Sequence, residues 1–185
     1  MFAATLLALW FAAVLALSLA GILDQQRSAV LLGWGLALPA GLYVAAYALS
    51  RGFRAWVQQL PLRALTLTEA ARLLGGGFIL WKYTQGDLPA GFALPTGISD
   101  VLIAASAIPA GLFLITPAGR PQRHFASWHA FSLFWLVVSS CSGMLTSPPA
   151  LSKFPLNLVP LFFGPLMILI NLAALTAATR TPPEI

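Results

Sequence analysis

The sequence has few charged residues, which make up only 8% of the 185-residue chain. An ordinary soluble domain has roughly 25% charged residues. A soluble domain of this size needs many charges to cover its surface with polar groups, so the composition argues against a soluble fold. The alternation of apolar and polar residues that marks the strands of a membrane β-barrel is also missing.

Cysteine is nearly absent, since Cys141 is the only one, and this excludes a disulfide within the chain. The sequence contains no Cys/His cluster for zinc, and its two histidines, His124 and His129, fall in one predicted span. Haem ligation by histidines of two helices is therefore excluded, and no cofactor is predicted. Neither GxSxG nor HExxH occurs, so the sequence leans against enzymatic activity while leaving it open.

The net charge of +5 does not indicate a nucleic-acid partner. The ten basic residues are scattered singly between apolar blocks, whereas a nucleic-acid interface clusters them on one face. The partner that the composition predicts is the lipid bilayer, together with other membrane protein subunits.

Apolar residues are abundant, at 59%, and they occur in long blocks. A block of roughly 20 residues crosses the hydrocarbon core as a helix, because backbone amides in lipid must bond internally. The sequence predicts an all-α integral membrane protein: one domain, residues 1–185, forming a bundle of about six transmembrane helices. The predicted spans are residues 2–23, 29–50, 67–84, 97–115, 124–145 and 154–178. The amphipathic segment 51–65 is predicted to form one short interfacial helix.

Basic residues are unevenly distributed among the segments between the predicted spans. With the N-terminus in the cytoplasm, seven of the ten lie on the inner side and three on the outer side. Cytoplasmic loops carry the excess of lysine and arginine in membrane proteins, which predicts both termini in the cytoplasm. The inner set is Arg51, Arg54, Arg63, Arg72, Arg120, Arg123 and Arg180, and the outer set is Arg27, Lys82 and Lys153.

Residues 63–175 carry a distinctive pattern of residues. The pattern consists of Arg72, Gly75, Phe78, Gly86, Leu88, Pro89, Phe92, Ala93, Gly97 and Asp100, then Leu158, Val159, Pro160, Gly164, Pro165 and Leu166. It resembles the pattern of a family of uncharacterised bacterial multi-pass membrane proteins. The chain departs from it at His129, where the pattern has asparagine, and at Asn171, where it has histidine. The resemblance implies a bundle of about six helices in the bacterial inner membrane and assigns no activity.

Three polar residues are predicted at similar depth near the cytoplasmic ends of their spans. Arg72, His129 and Asn171 lie about five to seven residues from those ends, so neighbouring helices would bring them into one polar layer beside Trp128 and Trp135. Such a layer could bind a ligand, with arginine taking a carboxylate or phosphate and histidine carrying a proton. The alternative is purely structural: Arg72 pairs with Glu69 one turn away or reaches the lipid headgroups, and His129 bonds Ser132 or a carbonyl.

A second polar group is predicted toward the outer side. An antiparallel hairpin would bring Lys82 near Asp100 as an ion pair, joined by Asn157. The alternative is that Asp100, beside Ser99, caps the N-terminus of the span beginning at residue 97. With these bounds every carboxylate lies near a span end or in a loop, so no acid is expected deep in a helix.

Local motifs in the third and sixth spans add two expectations. Thr66 and Glu69 have the spacing of a capping box, and the glycines at 75–77 either let a neighbouring helix approach closely or let this helix bend. Pro160 and Pro165 either kink the last helix or break it into a discontinuous, transporter-like helix.

Three functional classes follow from these features. The leading prediction is a non-catalytic accessory or structural subunit of a larger membrane complex, because loops are short and intramembrane charges few. The second is a small transporter or ligand-binding bundle that uses the polar layer on the cytoplasmic side. The third is a lipid-modifying enzyme acting at one interface.

Overall fold

The computed structural model describes residues 2–22, 28–146 and 149–179. These residues form helices in succession, and within them no strand occurs beyond an isolated antiparallel bridge between Ile115 and Pro121. The α-helices are α1 (Phe2–Leu19), α2 (Ser28–Leu49), α3 (Arg51–Gln58), α4 (Leu62–Thr68), α5 (Arg72–Thr84), α6 (Ala90–Phe113), α7 (Phe125–Thr146) and α8 (Gly164–Ala177). The predicted all-α fold is confirmed.

Three helical segments of the described chain are long and apolar enough to cross a membrane. They are Ala90–Phe113, Phe125–Thr146 and Val159–Ala177, and two further apolar stretches, Thr5–Leu19 and Gly33–Leu49, are shorter. The count of six spans and the orientation stay predictions. Arg27 and Arg180, which contribute to the predicted orientation, lie outside the described residues.

The third predicted span, residues 67–84, is divided in the structure. The short helix α4 leads through the 3₁₀ turn Glu69–Ala71 into α5. The predicted capping box is wrong, because α4 already begins at Leu62, after Pro61, and the Thr66 hydroxyl donates to the Leu62 carbonyl at 2.9 Å. The threonine therefore lies inside a helix, where its side chain bonds back to the preceding turn.

The helix of the fourth predicted span, α6, begins earlier than predicted, at Ala90 and not at Gly97. Pro89 precedes its first turn in extended conformation, and the helix then continues through Pro95. A proline near the start of a helix loses only one bond of the backbone ladder, so it does not end the helix here. Asp100 consequently lies about three turns inside α6.

The short amphipathic helix predicted for residues 51–65 forms only in its first part. It is α3, which ends at Gln58, whereas residues 62–65 belong to α4. Ser50 caps α3 by accepting a bond from the Phe53 amide at 3.2 Å, and Val57 is buried against the rest of the protein. The placement of α3 at a membrane interface stays a prediction.

Close packing of α5 on α6 depends on Gly76, as the run of three glycines predicted. A Cβ atom at Gly76 would lie 2.7 Å from the Asp100 Cβ and 2.8 Å from the Gly97 carbonyl oxygen. No side chain fits between the two backbones at this point, so Gly76 and Gly97 set the distance between α5 and α6. This contact brings the first turn of α5 beside the middle of α6.

The last helical segment is continuous from Val159 to Ala177, and its first turn, Val159–Phe163, is a π turn. Pro160 lies inside this turn and Pro165 follows it, so the prolines mark the change from π to α geometry. The rings of Trp10 and Phe11 in α1 pack edge-on against Phe162, with centroids 5.0 and 4.9 Å apart. The first helix thus contacts the protein at the π turn.

Candidate functional site

A buried ion pair joins α5 to α6 in the interior of the bundle. The Arg72 guanidinium donates from Nε to Asp100 Oδ1 at 2.9 Å, and its Nη2 donates to the same oxygen. Counted over the whole residue, Arg72 is 4% exposed and Asp100 is 8% exposed. Charges this far from water are costly unless they are paired, and the pair meets that need.

Glu69 is the second carboxylate of this site, and it is fully buried. Its Oε2 accepts from Arg72 Nη1 at 3.3 Å and from the Ser132 hydroxyl at 2.8 Å. Its Oε1 accepts from Asn171 Nδ2 at 2.9 Å. The carboxylate therefore ties the 3₁₀ turn to α5, α7 and α8 at once.

His129 extends the site from Asn171 toward α4. Its Nδ1 lies 2.9 Å from Asn171 Oδ1, and its Nε2 lies 3.0 Å from the Thr66 hydroxyl oxygen. The Asn171 amide nitrogen donates to Glu69 and to the Met167 carbonyl, so the Asn171 oxygen is the atom that accepts from His129. This arrangement assigns a ring proton to Nδ1, and in the neutral ring Nε2 accepts from the Thr66 hydroxyl, whose proton it shares with the Leu62 carbonyl.

These hydrogen bonds form one connected set, which we call the buried network. All of its members are at most 8% exposed. It consists of Thr66, Glu69, Arg72, Asp100, His129, Ser132 and Asn171. Side chains from several helical elements are thereby held in fixed orientations, because each polar atom is positioned by its partners.

The hydrogen bonds of the buried network suit ionised carboxylates. Every group bonded to Glu69 or Asp100 is a donor, and an ionised carboxylate only accepts. The two carboxylates share one guanidinium, that of Arg72. With both carboxylates ionised and the His129 ring neutral, the buried network carries one negative charge in excess.

A cavity of about 80 Å³ adjoins the buried network between α5, α6, α7 and the π turn. Arg72 and Asp100 form its charged wall, and most of the remaining wall is apolar, as at Ile79, Phe92 and Leu136. Small residues keep the space open, because a Cβ atom at Gly75 would have no neighbour within 4 Å. The cavity is large enough to hold a small molecule or a few waters.

Two hydroxyl groups in the cavity wall are buried without a hydrogen-bond partner in the described chain. They are Thr96 Oγ1 on α6 and Ser139 Oγ on α7. A buried hydroxyl normally has a partner, and leaving it unpaired costs free energy. The cavity wall therefore offers unused hydrogen-bonding capacity beside the charged pair.

The structure brings Arg72, His129 and Asn171 into one network, although Arg72 reaches the other two through Glu69. The ring of Trp128 stands edge-on to His129 at 4.8 Å, while its Nε1 donates to Ser106 at 3.1 Å. Trp135 lies farther along α7 and contacts Phe131 and Phe134. The two positions that depart from the family-like pattern, 129 and 171, hydrogen-bond each other.

The outer group of the sequence analysis does not form. Lys82 forms an ion pair with Asp87, with 2.8 Å between Nζ and Oδ2, because the turn after α5 brings Asp87 back beside the last residues of that helix. Asp100 pairs with Arg72 and caps no helix, since α6 begins ten residues earlier, at Ala90. Asn157 is fully buried and donates to the Ser152 carbonyl at 3.2 Å.

Glu69, Thr66 and Ser132 were not predicted as members of a shared site. The sequence does contain two signals for them: Glu69 precedes Arg72 by three residues, and His129 precedes Ser132 by three, so each pair shares a helix face. Asp100 was placed near a span end because the prolines at 89 and 95 obscured the start of α6. The expectation that no acid lies deep in a helix was therefore wrong.

Comparison with known families places the chain in a group without an assigned activity. A family model described as a domain of unknown function, DUF8737, matches residues 29–178. The chain belongs to this family. The DUF8737 region contains the whole buried network and every residue of the cavity wall. No curated protein and no solved structure matches the chain.

Proposed function

We propose that the chain is an integral membrane protein that binds a small molecule in the cavity beside the buried network, as a ligand-binding bundle or small transporter does. The observation that carries this proposal is the position of the Arg72–Asp100 pair, which forms one wall of an otherwise apolar cavity. Ligand sites typically combine an apolar lining with a few fixed polar groups. This cavity has that composition.

The energetic cost of the buried network supports a functional role. A buried ion pair adds little stability, and well-packed apolar residues of similar volume often replace it without loss. Here three ionised side chains and four other polar ones lie in the interior of the bundle. Intramembrane ionisable groups mark ligand or ion sites by default, and the adjoining cavity gives such a ligand a place.

The π turn supports the same proposal. Val159, Pro160 and Phe163 of this turn line the cavity opposite the charged wall. Single π turns inside helices are frequent at functional sites, because they alter the local direction of side chains and carbonyls. Transporters often form their binding sites at helices interrupted by proline or glycine.

The accessory-subunit prediction and the lipid-modifying enzyme stay predictions of the sequence. An apolar outer surface suits lipid and a protein partner equally, so it does not favour the accessory role. Burial inside the bundle does not distinguish an interface from the membrane interior, so the buried network does not favour the enzyme class either.

Filling the cavity tests the proposal. In Gly75→Leu the new side chain has room for its Cβ and enters the cavity, so we expect the bound molecule to be lost. Native mass spectrometry of protein released gently from its own membrane would measure the bound mass. Wild-type protein is expected to carry a small molecule, and Gly75→Leu is expected to lack it.

The matched control is Gly77→Leu, two residues away on α5. A Cβ atom at Gly77 would also have no neighbour within 4 Å, yet Gly77 does not line the cavity. Its variant should keep the bound molecule. Equal occupancy in both variants, or a bare wild-type protein, would overturn the proposed function.

A further inference from the structure

We propose that the ligand of this cavity carries a primary ammonium group, which binds Asp100 and the hydroxyls of Thr96 and Ser139. The inference rests on the proposed function and names the chemical class of its ligand: a short, mostly apolar organic cation. Four observations support it, namely the charge, the unused carboxylate oxygen, the unpaired hydroxyls and the size of the cavity.

The charge of the buried network favours a cation. Glu69 and Asp100 share the single guanidinium of Arg72, so with both carboxylates ionised and His129 neutral the buried network has one negative charge in excess. Of these groups Arg72 and Asp100 line the cavity, and Glu69 lies behind them. A charge buried away from water attracts an opposite charge strongly, so a cation is stabilised here and an anion is repelled.

Asp100 retains an oxygen for this cation. Both of its hydrogen bonds from Arg72, those of Nε and Nη2, go to Oδ1. Within the described chain Oδ2 makes no hydrogen bond, and Asp100 belongs to the cavity wall. A carboxylate oxygen accepts one or two further bonds, and a charged donor makes the strongest of them.

The two hydroxyls complete a set of three acceptors. Thr96 lies one turn before Asp100 on the same face of α6, and Ser139, on α7, lines the same cavity. Thr96 is 5% exposed, and its hydroxyl oxygen, like that of Ser139, has no partner in the described part of the chain. A primary ammonium has three N–H donors, which matches Asp100 Oδ2 and these two oxygens in number.

The remaining wall determines what is attached to the ammonium. It consists mainly of apolar side chains, including Met144 and Met167. A cavity of about 150 Å³ in another protein binds benzene, so 80 Å³ admits a ligand of roughly three heavy atoms. An apolar wall disfavours a bare metal ion, whose whole surface needs oxygen ligands, and suits a short alkyl chain.

Three probes of nearly equal size test the charge of the ligand: ethylammonium, ethanol and acetate. The protein is placed in lipid nanodiscs with ¹³C-labelled methionine methyl groups. Two of its three methionines, Met144 and Met167, line the cavity and report binding by their NMR shifts. We expect ethylammonium to shift both signals saturably in wild type and in Gly77→Leu. In Gly75→Leu, whose cavity is filled, we expect no saturable shift. The signals of Gly75→Leu also measure the effect of probe that dissolves in the lipid.

The variant Asp100→Asn removes the charge while keeping its shape. Its amide oxygen still accepts from Arg72, and an NH₂ group takes the place of Oδ2. We expect the affinity for ethylammonium to fall at least about tenfold, while the ethanol shifts stay unchanged. Methionine spectra without probe that match wild type would show that the fold persists.

The outcomes separate this inference from the proposed function. Cavity-dependent shifts with ethanol but none with ethylammonium would overturn the cation and leave the ligand-binding proposal standing. Preferential binding of acetate would do the same. If none of the probes shifts either signal, the ammonium inference fails, and the native mass measurement alone decides whether the cavity binds a molecule.

Discussion

The two ends of α5 carry ion pairs that differ in nearly every physical respect. At its start, Arg72 pairs with Glu69 and Asp100, and the three side chains are 2%, 0% and 12% exposed. At its end, Lys82 pairs with Asp87, and these side chains are 23% and 44% exposed. The first pair is held by packing between helices, whereas the second lies at the surface on a turn.

The difference lies in what each pair requires of the fold. Asp87 is five residues from Lys82, and the turn between them, with Gly86 at a φ of 79°, brings the two together locally. Asp100 is 28 residues from Arg72, and the contact exists only because Gly76 lets α6 approach. The Lys82–Asp87 pair therefore depends on a turn alone, while the Arg72–Asp100 pair depends on the packing of the whole bundle.

The largest effect is expected from Arg72→Leu, which leaves the carboxylates of Glu69 and Asp100 buried without a cation. Removing one partner of a buried ion pair costs about 3–5 kcal/mol of unfolding free energy. Unfolding by SDS titration in mixed micelles would measure the loss. A change below about 1 kcal/mol, the range of an exposed pair, would contradict the distinction between the two ends of α5.

A smaller effect is expected from Asn171→Leu, which keeps the branched shape of the side chain and removes the link between His129 and Glu69. His129 and Glu69 each lose a partner, but Glu69 keeps its bonds from Arg72 and Ser132, so we expect a loss of about 1–3 kcal/mol in total. The same titration measures stability, and ¹⁵N NMR of the histidine rings shows whether Nδ1 of His129 keeps its proton. The exposed ring of His124 serves as the internal reference. An unchanged His129 spectrum would contradict the assigned hydrogen bond.

Gly76→Ala tests the close approach of α5 and α6 that allows the Arg72–Asp100 pair to form. The added methyl group would meet Asp100 and the α6 backbone at less than 3 Å, so we expect a loss of about 1–3 kcal/mol. Gly77→Ala is the matched control, because its methyl group has open space and alanine favours the helix by up to about 1 kcal/mol. Effects of opposite sign are expected, and effects of equal sign and size would contradict the packing argument.

The smallest effect is expected from Lys82→Leu, the counterpart of Arg72→Leu at the other end of α5. An exposed ion pair contributes about 0.2–1 kcal/mol, and added salt screens it. Unfolding titrations with and without salt would measure the change. A loss as large as that of Arg72→Leu would mean that exposure does not distinguish the two pairs.

The helices could be predicted from the sequence because their signal is local. Long apolar blocks indicate helices whatever their neighbours, and the small residues at 75–77 indicate a close contact without naming the partner. The layer of Arg72, His129 and Asn171 was predicted by counting residues from each span end, and the structure joins the three side chains in one network through Glu69. Their common depth in a membrane stays a prediction.

The rest of the site could not be predicted, because it depends on which helices are neighbours. Glu69 links to Ser132 and Asn171 across 63 and 102 residues, and no local pattern encodes those contacts. Asp100 was misplaced by about two turns when α6 was expected to begin after Pro95, and the correct start puts it opposite Arg72. The prolines gave a misleading signal, since this helix continues through one of them.

The contact between α1 and Phe162 has a consequence for how the protein is made. Phe162 is synthesised long after Trp10 and Phe11, because most of the described helices lie between them in the chain. On the proposed membrane placement, α1 gains this contact only once the π turn has entered the bilayer. The π turn that receives α1 also lines the cavity, so α1 docks and the cavity wall is completed in the same step of biogenesis.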